Sequence, residues 1–239
     1  MYQVCAEDVT TQTEETDALG SVLDMKNQLI DSVNNAIQLI REKIREVQEE
    51  STDYGQQLED EALNIDQYVY EKIAAAQEKV TSALISKAVD VNVTECADMS
   101  ESFNQASQEA LEEVNTCLRN IIIDASVYFK NIIHSSEALL KKLTSIRDEA
   151  ILCKSNGWNF YCNNVAAAKG TWAISRKVPS FIADIQKLSL KVSNFFTEMG
   201  VCSSAKGVNL VIENASEITK KIRECVKAQK AAADAEKKE

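Results

Sequence analysis

The sequence predicts an all-α protein: an elongated antiparallel bundle of about five long amphipathic helices, laced by disulfides. Three observations carry this. The 239 residues include one Pro and six Gly, so little in the chain interrupts a helix. From Asp98 to Cys153 there is neither Pro nor Gly, and apolar or small residues recur in steps of three and four. Seven cysteines are many for a reduced helical protein and point to an oxidised framework.

Residues 1–18 are acidic and Thr-rich, with Glu7, Asp8, Glu14, Glu15 and Asp17, and are expected to form a flexible tail tethered through Cys5. Residues 19–230 are read as one helical bundle domain. From Leu19 the pattern tightens: Ile30, Ile37 and Ile44 interleave with Val33, Ile40 and Val47 in a three-four heptad seam. Such a seam packs another helix, whether from this chain, another protein or a second copy. Ser51-Thr52-Asp53-Tyr54-Gly55 favours a break, with Gly55 just past a helix end; a continuation through Tyr54 to Leu58 as one rod is the alternative. Leu58, Ala62, Ile65, Val69, Ile73, Ala76, Val80 and Leu84 then give a second helix, forming an αα-hairpin with the first.

The periodicity lapses over Val89–Thr94, where the chain is expected to turn. The long central helix follows, with its inner stripe at Phe103, Ala106, Ala110, Val114, Cys117, Ile121, Ala125, Tyr128 and Ile132. After a polar step at Ser136 it resumes through Leu139, Leu143, Ile146, Ala150 and Cys153. Ser155-Asn156-Gly157 closes it. A fourth helical region starts near Asn164 and runs to Lys177. Pro179 fits the first turn of a further segment, where its missing N–H is harmless; that segment ends at Gly200 as a C-cap. The last helix places Val208, Val211, Ala215, Ile218, Ile222 and Cys225 on one stripe, and residues 231–239 form a charged tail expected to fray.

A net charge of -11 argues against nucleic acid, which needs a clustered positive face. No stretch has the roughly 18 unbroken apolar residues of a membrane span. The N-terminal residues lack the apolar core of a signal peptide, so the expectation is a mature secreted chain whose leader has been removed. Two N-glycosylation triplets are present, Asn92-Val93-Thr94 and Asn214-Ala215-Ser216. Asn92, in a connection, is the better acceptor; Asn214 lies within a predicted helix.

The cysteines carry the most informative chemistry. Cys153 and Cys162 bracket a short connection, where a bridge would close a helix–helix corner. Cys96 and Cys117, and likewise Cys202 and Cys225, lie more than five turns apart on their helices, about 30 Å or more. A disulfide spans only about 4.4–6.8 Å between Cα atoms. Neither pair bridges internally; the two helices are expected to be laced at both ends. A simple up-down order pairs Cys96 with Cys202 and Cys117 with Cys225, and an antiparallel arrangement exchanges the partners. There is no CxxC and a single histidine, so no zinc site is expected.

His134 stands beside Ser135 and Ser136, but adjacent helical positions point in different directions and make no nucleophile–base pair. With no phosphate-cradling loop, dinucleotide fingerprint or metalloprotease motif, neither a catalytic nor a cofactor site is expected. Trp158 and Tyr161, with Trp172 a few turns on, are candidates to line a ligand pocket at the corner.

Cys96-Ala97-Asp98 followed by Leu111-Glu112-Glu113-Val114-Asn115-Thr116-Cys117-Leu118, with the Asn92 triplet before it, resembles the tsetse EP-like family of secreted insect gut and haemolymph proteins. That resemblance implies a signal peptide, glycosylation and a non-enzymatic role. The functional expectation is a secreted helical protein acting through helix-mediated binding or as an extracellular structural component. The alternative is a carrier of lipid or another apolar ligand in a cavity between its helices.

Overall fold

The computed structural model describes residues 8–85, 94–153 and 159–236, with side chains from Asp24 onward except those of Glu95, Asn159, Phe160 and Glu236. The expected connection around Asn92, the corner with Trp158, and Cys5 lie outside these residues. Every element is helical: α1 (Asp8–Ile85), α2 (Thr94–Leu152), α3 (Asn159–Trp172), a π segment (Ala173–Lys177), α4 (Val178–Gln186), α5 (Leu188–Cys202) and α6 (Lys206–Glu236). The all-α class is therefore as expected, but the helix count is not. Two long helices and a segmented third run, α3 to α6, replace five separate helices.

The predicted break at Ser51–Gly55 does not occur, and α1 passes through it as one helix. The buried positions explain why. Ala36, Val47, Leu58, Val69 and Val80 are all buried and spaced by eleven residues, so the inward face crosses Gly55 without a jump in phase. Eleven residues in three turns is 3.67 per turn, close to the 3.6 of a straight helix and unlike the 3.5 of a heptad seam. The same period runs through α2, where Phe103, Val114, Ala125 and Ser136 are buried eleven apart. It brings in Ser107, Leu118 and Phe129 in place of the expected Ala106, Cys117 and Tyr128. The polar step at Ser136 is no interruption, because its hydroxyl donates to Ile132 O at 2.5 Å, as Ser107 does to Phe103 O at 2.8 Å.

The ends also depart from expectation. The acidic stretch assigned to a tail is helical from Asp8, where carboxylates favour a helix N-terminus. The Ala-rich end of α6, expected to fray, is helical to Glu236. Gly200 is not a cap but lies exposed inside α5. The helix ends at Cys202, where Ser204 N–H bonds Val201 O and Ala205 N–H bonds Cys202 O in a tight turn into α6. Pro179 stands in the first turn of α4 as predicted. Just ahead of it Val178 N–H reaches back five residues to Ala173 O, a widening that relieves the proline ring against the preceding turn.

The chain divides into two compact units: Met1–Thr52 with Tyr128–Ser189, and Asp53–Val127 with Leu190–Glu239. In the first, the end of α2 lies beside the start of α1, with buried Lys26 donating to Ile151 O at 3.4 Å near the α2 C-terminus, where a cation is favourable. Gly170 of α3 packs so closely that a Cβ there would lie 2.6 Å from Leu29 Cδ1 and 3.5 Å from Ile146 Cγ2. Val33, Ile37, Ile40 and Val47 are buried in this unit, and Ile30 and Ile44 are half-buried. The seam expected to bind another protein or a second copy is thus taken up by the chain's own packing. In the second unit, Val69, Ile73 and Val80 of α1 share the core with Val114 of α2, Phe195 and Met199 of α5, and Ile222 of α6.

Candidate functional site: a braced groove between α2 and α6

Disulfides set the second unit's geometry. Cys96 is bonded to Cys225 and Cys117 to Cys202, each with a Cα–Cα distance of 5.9 Å. This is the exchanged pairing, not Cys96–Cys202 with Cys117–Cys225. As α2 advances from Cys96 to Cys117, its partners step back from Cys225 to Cys202, so α5 and α6 run antiparallel to it. The up-down count that pointed to parallel helices included a hairpin in α1 that does not exist. In the first unit Cys153 is bonded to Cys162 at a Cα–Cα distance of 5.7 Å, closing the α2–α3 corner.

Between the two long-range bridges α2 and α6 part to leave a groove of about 760 Å³. Phe103, Ala110 and Val211 are buried and form its floor. Met99, Ala106, Leu210 and Ile218 extend the apolar surface. Small residues keep the helices close at one end: a Cβ on Gly207 would meet Ala110 Cβ at 3.4 Å and Glu113 Oε2 at 2.5 Å. Asp98, Ser102, Glu109 and Glu113 line the α2 side, and Asn214 and Lys221 the α6 side. The volume falls within the range of small-molecule sites, and six of the fourteen lining residues are polar or charged. A bridge at each end holds the wall spacing fixed, so the groove needs no ordering before it is filled.

Of the aromatic candidates, Tyr161 lines a cleft at the α2–α3 corner and Trp172 stands three turns further on. Tyr161 and Trp172 lie eleven residues apart on α3, about 16 Å along its axis, and Trp158 falls outside the described residues. Tyr161 is 70% exposed at a cleft of about 540 Å³ lined by Leu152, Val165 and the Cys153–Cys162 bridge. Trp172, 44% exposed, has the Nζ atoms of Lys142 and Lys177 over its ring, 4.5 and 5.2 Å from the centroid. Both lysines line a smaller cleft of about 300 Å³ between α2 and α4. Asn214, the second glycosylation candidate, is exposed on the wall of the α2–α6 groove.

His134 is exposed, and the neighbouring Ser135 and Ser136 hydroxyls both donate to Ile132 O. No catalytic pair is formed there. Among the described residues no three His, Cys, Asp or Glu side chains gather to hold a metal, and no helix is long and apolar enough to cross a membrane.

Sequence reasoning missed the groove. Its signal was available: Met99, Phe103, Ala106 and Ala110 on α2, with Gly207, Leu210, Asn214 and Ile218 on α6, recur at helical spacing between two pairs of cysteines. Those cysteines marked a laced helix pair, and the small residues marked where it closes. No known protein family, curated protein or solved structure matches this chain.

Proposed function

We propose that this is a non-enzymatic, secreted, disulfide-braced helical protein that carries an apolar ligand in the groove between α2 and α6. The observation that supports it is the groove itself: about 760 Å³ with an apolar floor and a bridge at either end. Three disulfides fit an oxidising, extracellular compartment. The resemblance to secreted insect EP-like proteins agrees with that setting and with a glycan at Asn92.

Native mass spectrometry of the full chain from an oxidising expression host tests this reading. Bound apolar mass released on denaturation is the expected result. A ligand-free chain that also takes up no added amphiphile would overturn it.

Helix-mediated binding to another protein is the second reading. It rests on Leu63 and Tyr70, seven residues apart on one face of α1 in the second unit and each more than half exposed. Replacing Leu63 and Tyr70 with Gln would then abolish any self-association seen by sedimentation, with ligand uptake unchanged.

A further inference from the structure

The groove's polar rim is one-sided in charge. Asp98, Glu109 and Glu113 line it from α2, and Lys221 is its one basic side chain among the described residues. Lys221 is already engaged, because its Nζ lies 2.7 Å from Glu217 Oε1. None of the three α2 carboxylates has a basic group within ion-pair distance among the described residues. Glu109 accepts a hydrogen bond from Gln105 Nε2 at 3.0 Å, a neutral donor that leaves the negative charge uncompensated. Glu113 lies over Gly207, where no side chain separates it from the α6 backbone.

An occupant therefore meets an apolar floor and three uncompensated negative charges along one wall. A fatty acid would bring its carboxylate against them. An ammonium head complements them, with its tail over Phe103, Ala110 and Val211. Resting on the carrier reading, we infer that the groove selects cationic amphiphiles, an apolar chain ending in an amine or quaternary ammonium, over anionic ones. Glu109 and Glu113, one turn apart on α2, can face the same head group, and two exposed pairings of modest worth combine to a preference of roughly tenfold, about 1.4 kcal/mol. Added salt narrows it, because the charges face water.

Calorimetric titration of the intact, oxidised chain decides the matter, using three probes of equal chain length below their micellar concentrations. They are dodecyltrimethylammonium, dodecanoate and a neutral dodecyl glycoside. The expected order is ammonium tightest and carboxylate weakest by roughly tenfold, with the gap shrinking in the Glu109→Gln/Glu113→Gln variant and at high salt. Binding of all three with equal affinity, or a carboxylate preference, overturns the charge inference and leaves the apolar carrier standing. Binding of none overturns both. A concentration-dependent dimer dissolved by every probe alike would assign the groove to a second copy and overturn the inference as well.

Discussion

Gly207 of α6 stands against Ala110 of α2 so closely that a Cβ would sit 3.4 Å from the alanine's own Cβ. The contact closes one end of the groove and sets its width there. The other close atom, Glu113 Oε2, is the far end of a flexible side chain and can swing aside. Gly207→Ala is therefore expected to fold normally, with stability unchanged or raised by up to about 1 kcal/mol from the better helix former. Gly207→Leu projects a branched side chain toward the groove and should abolish amphiphile binding while helicity by circular dichroism is retained. Unaltered binding in the leucine variant would remove the groove as the site.

Gly55 offers a direct test of α1's continuity. Nothing lies within 4 Å of a Cβ built there, and the position is interior to a helix. Gly55→Ala should stabilise the protein by about 0.5–1 kcal/mol in urea denaturation. At a turn glycine with positive φ the same change would destabilise, so the sign separates a rod from a hairpin.

That position also shows what the sequence conveys and where it misleads. Helical content follows from the scarcity of Pro and Gly, and the inward stripe of α1 is legible in Val47, Leu58, Val69 and Val80. Ser51-Thr52-Asp53-Tyr54-Gly55 carries turn-forming residues, yet burial of a continuous stripe over the neighbouring turns outweighs about 1 kcal/mol of glycine propensity. A heptad template misses this because it fits Ile30 to Val47 locally and drifts out of phase further on. The groove was less legible. It lies beside small Ala106, between helices that Ala110 and Gly207 draw together at one end, and a pairwise relation between distant segments has no periodicity of its own. The aromatic candidates were grouped by nearness in sequence: eleven residues put Tyr161 and Trp172 on the same face of α3 but three turns, about 16 Å, apart along it.

The three bridges should differ in weight. Cys96–Cys225 and Cys117–Cys202 span 129 and 85 residues of sequence, while Cys153–Cys162 spans 9. Restriction of the unfolded chain grows with the loop closed, so removing either long bridge by paired Cys→Ala changes should cost about 2 kcal/mol more than removing the short one. Urea midpoints of the three variants compare them. The long-bridge variants should also lose amphiphile affinity, since those bridges bracket the groove; the Cys153→Ala/Cys162→Ala variant should keep it.

Glycosylation offers a check that needs no ligand. Asn214 is on the groove wall, so a glycan there would occupy or shut the groove, whereas Asn92 precedes α2 in the sequence. In a secretory host, glycopeptide mass spectrometry should find Asn92 modified and Asn214 bare. Stoichiometric occupancy of Asn214 would be incompatible with the carrier reading.

Glu217 and Lys221 link the charge of the groove to acidity. The hydrogen bond from Lys221, reinforced by its positive charge, holds the Glu217 carboxyl below the ordinary carboxylate range. A depressed folded value means the pairing is complete above the unfolded pKa of about 4.3 and is lost as pH falls through the lowered value. From about pH 5 to about 8, then, Lys221 stays offset and contributes little to what the groove selects. Glu217→Gln removes the offset at neutral pH and leaves Lys221 as an uncompensated cation on the groove wall. Both side chains are well exposed, so the change should not shift the unfolding midpoint measurably. It should weaken binding of the ammonium probe by roughly two- to fivefold and strengthen the carboxylate probe in turn. Both effects should be flat across that pH window and shrink as salt is added. A Glu217→Gln variant that discriminates between the two probes as sharply as the parent would mean that Lys221 lies outside the reach of the ligand's head group.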